Sequence, residues 1–87
     1  MTSDACLAKL KTLGGERLPG VLDTLKRFER EIAALDCFCY PVVPRYAESM
    51  LGDLKFFGDF EMWRWADAYV HIRIEEKREE LREITDL

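Results

Sequence analysis

The stretch Asp59 to Asp86, DFEMWRWADAYVHIRIEEKREELREITD, decides how the rest of the chain is read. Its middle, Tyr69-Val70-His71-Ile72-Arg73-Ile74, alternates apolar and polar as a half-buried strand does. At helical spacing the same region orders differently. Glu61, Arg64, Asp67, His71, Glu75 and Arg78 follow at steps of three or four and alternate in sign wherever the charge is fixed. Each neighbour pair is placed for a contact along one helix face, an order a strand gives no reason to produce. The remaining positions from Phe60 to Ile74 are nearly all apolar, Arg73 excepted. The spacing predicts one long helix with a narrow wet stripe and a wide dry arc. The competing reading, a strand near 68–74 followed by a helix, would make the domain α+β.

Upstream, punctuation at Gly14-Gly15, Pro41 to Pro44 and Gly58 divides the remainder into three helical pieces. Leu7, Leu10 and Leu13 recur from Asp4 to Leu13, with Ser3 as the expected cap and the glycine pair as the stop. From Pro19 to Leu35 a stripe of Leu18, Leu22, Leu25, Phe28, Ile32 and Leu35, joined by Val21, predicts a second helix, with Pro19 in its first turn. From Pro44 to Phe57 the stripe is Tyr46, Met50, Leu54 and Phe57, with Ala47 and Leu51. Residues 37–44 read as an apolar extended connector, because each proline pushes its predecessor out of helical geometry. The expected fold is therefore all-α: one domain over 1–87, a bundle of about four helices, with the C-terminal one longest. At 1.5 Å per residue that last helix reaches about 40 Å against about 15, 26 and 21 Å for the others, so its final turns should overhang.

The 87 residues carry 13 basic and 17 acidic side chains, a net charge of −4. A binder of nucleic-acid backbones needs a basic surplus, so direct nucleic-acid binding is not expected. No apolar run approaches the ~18 residues of a membrane span, and Met1 to Leu10 has no basic region before an apolar core. No membrane or secretory role is expected, and a cytoplasmic one is. Three cysteines, an odd count, also argue for a reducing compartment.

Candidate chemistry is sparse. Asp67, His71 and Glu75 lie one turn apart, where a carboxylate could orient an imidazole or a metal could bind. No Ser, Thr or Cys stands near as a nucleophile, and three ligands on one helix rarely converge, so an exposed ion ladder is the plainer reading. Cys6, Cys37, Cys39 and His71 add up to a zinc-compatible set, but Cys-x-Cys is a poor match to zinc-knuckle spacing, and small buried hydrophobes are the plainer account. Gly14-Gly15 lacks the flanking residues of a phosphate-binding loop. No catalytic residue, cofactor or metal is expected, and the chain reads as a non-enzyme.

Aromatic supply is the other anomaly. Of ten aromatic residues, seven lie between Tyr46 and Tyr69, more than one small core readily hides. Phe56, Phe57, Phe60, Met62, Trp63 and Trp65 form the densest stretch, and the two tryptophans point about 200° apart on a helix, so one can serve the core and the other a second surface. The function expected is contact: a small acidic helical homodimer, adaptor or inhibitor of a larger protein. Trp63, Trp65, Phe60, Tyr69, Leu81, Ile84, Glu76 and Glu80 are the residues expected to meet the protein partner or second copy. In size and acidity alone the chain resembles phage-encoded inhibitors of host defence or nucleic-acid-binding complexes. A metal- or thiol-site protein using Cys6, Cys37 and Cys39 is the remaining alternative.

Overall fold

The structure, a computed structural model, describes residues 1–35 and 41–85, apart from the side chains of Ile84 and Thr85. Four helices are found among the described residues: α1 (Ser3–Leu13), α2 (Leu18–Ala33), α3 (Arg45–Phe56) and α4 (Phe60–Thr85). No strand occurs among them, so the α+β alternative is set aside. The alternation at Tyr69–Ile74 falls inside one unbroken helix of 26 residues. Of the connector expected over 37–44, residues 37–40 lie outside the described residues. Pro41 is fully buried, Val42 is exposed, and Pro44 is extended at φ −73°, ψ 157° before α3 begins.

Helix ends follow local chemistry. Thr2, not Ser3, caps α1, its hydroxyl accepting from the Ala5 amide at 3.2 Å. Ser3 instead donates to Glu76 on α4 at 2.5 Å. Gly14 ends α1 at φ 69°, and Gly58 closes the α3–α4 turn at φ 79°; both values lie where a side chain is strained. Pro19 sits in the first turn of α2, where no amide is needed.

Side-chain pairings fix the directions. Ser3 meets Glu76 and Lys9 lies over Trp65, so α1 runs antiparallel to α4. Arg17 pairs with Asp59 and Glu29 with Arg73, so α2 runs alongside α4 in the same direction. Arg27 stacks on Tyr46 and Arg17 on Phe57, which turns α3 back along α2. The result is an up-down-up-down arrangement with short turns after α1 and α3. The core holds Cys6 and Leu10 of α1, Val21, Leu25, Phe28 and Ile32 of α2, and Leu51 and Leu54 of α3. Met62, Ala66, Tyr69, Val70 and Ile74 of α4 complete it.

Lys77 and Leu81 extend the buried row of α4 at the same spacing, at 8% and 7% exposure. This corrects the expected overhang: as far as Leu81, the last turns keep a covered face. Phe57 is corrected as well. Expected on the α3 stripe, it sits past the helix end as the C-cap residue and is exposed.

Candidate functional site

The expected contact residues separate into three groups. Trp63 and Trp65 flank α4 on opposite sides, each half-buried against the core. Lys55 of α3 lies 4.7 Å from the Trp63 ring, and Lys9 of α1 lies 5.9 Å from that of Trp65. Lysine stems thus cover the outer faces of both indoles. The opposed directions expected for the two rings are observed, but each faces a neighbouring helix of the same chain. The Trp65 Nε1 is buried without a hydrogen-bond partner among the described residues.

Tyr69 and Leu81 are buried, at 5% and 7% exposure, and offer little side chain to a partner. Tyr69 meets Phe28 edge-on at 6.3 Å and donates to Glu29 at 3.3 Å. Burial, followed by the neighbouring Glu29 charge, pushes its hydroxyl up to about 12. Glu76 and Glu80 are already engaged: Glu76 accepts from Ser3, and Glu80 pairs with Arg73 at 3.4 Å and Lys77 at 3.5 Å. Arg73 also grips Glu29 through Nε at 2.8 Å and Nη2 at 3.2 Å. These acids therefore help close the bundle end. The Ile84 side chain lies outside the described residues.

Phe60 is the expected contact residue that stands clear, at 62% exposure. It is not alone, for Phe56 is 82% and Phe57 55% exposed. Three phenylalanines thus protrude within five residues of one tight turn, the first two ring-to-edge at 5.0 Å. Together they expose about two whole side chains, roughly 400 Å² at ~200 Å² each. The turn is tied to the start of α2: Arg17 forms an ion pair with Asp59 at 2.6 Å and places its guanidinium 4.1 Å from the Phe57 ring. The Asp59 carbonyl receives the Trp63 amide at 2.8 Å, starting α4 at once. Beside Phe60 an open hollow is lined by Leu13, Gly14, Gly58, Asp59 and Met62. The aromatic density of residues 56–65 was visible in the sequence. That Phe56 and Phe57, rather than the tryptophans, form the open surface follows from helix phase and turn geometry.

His71 pairs with Asp67 at 3.2 Å on an exposed face, and Glu75 turns to Arg78 at 2.7 Å, as a solvated ladder does. No cluster of three metal-ligating side chains occurs among the described residues. Cys6 is fully buried in the core beside the Met1 sulfur, and burial raises its thiol above the usual range, opposite to what a nucleophile needs. Cys37 and Cys39 lie outside the described residues. Among the described residues no helix is long and apolar enough to cross a membrane. No protein-family model matches the chain, and searches of curated proteins and of solved structures returned no match.

Proposed function

We propose that this protein acts by contact with another protein, through the aromatic turn of Phe56, Phe57 and Phe60. The observation that carries the reading is the exposure of all three rings on a turn that the Arg17–Asp59 ion pair joins to the start of α2. Large aromatics left in water on a braced support raise the energy of the free protein, and burying them against a partner recovers it. About 400 Å² of apolar surface is the size at which a patch on a small protein is often functional, and is half of one side of a standard interface. A second copy is the partner this end fits first. The protruding rings stand beside a hollow lined by Leu13, Gly58 and Met62, and a two-fold interface requires one patch to offer both knob and socket.

Sedimentation equilibrium from micromolar to millimolar concentration tests this. A concentration-dependent dimer that disappears in F56S/F60S, with the melting temperature held within a few degrees, supports it. If the wild type stays monomeric throughout, a photo-crosslinking phenylalanine analogue at position 57 should trap one dominant host protein, and lose it in F56S/F60S. A monomer that traps nothing overturns the contact reading.

A further inference from the structure

A second site lies in the groove between α2 and α3. Its floor is Val21 and Leu54, both buried, with Met50 half-buried beside them. Its walls are low: Gly20 and Thr24 on α2, and Ser49 on α3. A side chain built at Gly20 would meet no atom within 4 Å, so the space above it is open. The groove holds about 530 Å³, within the range of small-molecule sites. Arg17 to Thr24 on one side and Tyr46 to Asp53 on the other each cover about two helical turns, a length of roughly 11 Å.

The charges along this groove do not cancel. Because α2 and α3 are antiparallel, Glu16 and Asp53 stand at the same end, next to Arg17. Arg17 is the one base among the described lining residues, and it is already engaged by Asp59 at 2.6 Å and by the Phe57 ring. Glu16 and Asp53 are exposed and have no ion-pair partner among the described residues. At the other end Arg27 lies 4.0 Å from the Tyr46 ring and pairs with Glu31 at 3.6 Å, so this pair adds no net charge. From the apolar floor and the two uncompensated carboxylates we infer that the α2–α3 groove binds a small organic cation, a primary amine on a short apolar body such as an arylalkylamine. The body lies over Val21, Met50 and Leu54, and the ammonium reaches Glu16 and Asp53. An anionic end would meet two like charges there, and a neutral end would leave both carboxylates to water. The gain comes mainly from the apolar contact, and each carboxylate adds an exposed charge contact.

Titration of the full chain with phenethylamine, phenylethanol and phenylpropanoate, read by calorimetry and by amide chemical shifts, is the test. The three probes share a phenyl ring on a two-carbon arm and differ in the charge at its end. Phenethylamine should saturate one site, shift Val21, Thr24, Ser49 and Leu54, and bind about tenfold more tightly than phenylethanol. E16Q/D53N should abolish that preference and leave phenylethanol binding unchanged, while E16K/D53K should turn it toward phenylpropanoate; both positions are exposed, so the fold is retained. Gly20→Leu should fill the groove and abolish binding of all three probes without lowering the melting temperature, because the new side chain enters open space and glycine disfavours a helix. Equal affinity for the three probes, shifts confined to the 56–60 turn, undiminished binding to Gly20→Leu, or no saturation at about ten millimolar would each overturn the proposal. F56S/F60S should bind phenethylamine as the wild type does, so a failure here and a failure of the aromatic turn as a contact surface are separate results.

Discussion

Phe28 and Phe56 are the same residue type on neighbouring helices with opposite fates, and replacing each by alanine weighs core against surface directly. Phe28 is 1% exposed and meets Tyr69 edge-on. Removing it withdraws about 200 Å² of buried apolar surface, ~5 kcal/mol by area, and measured Phe→Ala core changes run about 3–5 kcal/mol. An 87-residue domain holds about 4–13 kcal/mol in total, so Phe28→Ala should leave a chain only marginally folded. Phe56 is 82% exposed. It has under a fifth of its area to lose, and the cost should stay below about 1 kcal/mol. Urea denaturation followed by far-ultraviolet circular dichroism measures both. The midpoint should fall steeply for Phe28→Ala and barely move for Phe56→Ala, with melting temperatures apart by at least about 8 °C at about 4–8 °C per kcal/mol. Comparable losses in the two variants would refute both the packing of α2 and the assignment of the turn as open surface.

Arg73→Met should cost about 1.5 kcal/mol in the same assay, the low end for hydrogen bonds to a charged group, because Glu29 is partly exposed and water can replace its partner. A loss above 3 kcal/mol would mean that Glu29 is trapped without solvent. Tyr69 binds its proton more tightly folded than unfolded. Its contribution is therefore complete below pH 10 and is lost as the pH rises from 10 toward 12, and Tyr69→Phe should remove about one proton from the alkaline slope of stability. An unchanged slope would contradict the burial of that hydroxyl. Gly58→Ala meets no atom within 4 Å, so backbone strain alone at φ 79° sets its cost, about 1–2 kcal/mol in thermal melts. A neutral result would show that the turn can change conformation freely.

Much of the fold was legible in the chain. Glycines at 14 and 58, prolines at 19 and 44 and stripes of 3.6-residue period place the four helices to within about two residues at most ends. The six-residue ladder from Glu61 to Arg78 chose helix over strand, and Glu61, Arg64, His71, Glu75 and Arg78 are indeed exposed. The candidate site was legible only as a density of aromatics. Lys77 shows why the remainder was not. Six acids and three bases crowd the segment from Glu75 to Asp86, yet Lys77 lies on the same helical row as Val70, Ile74 and Leu81, and so is buried.

Local chemistry acts on neighbours in sequence, so caps, turns, helix phase and the sign ladder were fixed by residue order alone. Which faces stay wet depends on what other helices cover, and that is a property of the assembled bundle. Lysines from α1 and α3 close over the two indoles, while Arg17 braces the α3–α4 turn and leaves Phe56, Phe57 and Phe60 in water. Residue type could not distinguish these rings, because burial is decided by which side chains of other helices packing brings over them, Lys55 over Trp63 and Lys9 over Trp65.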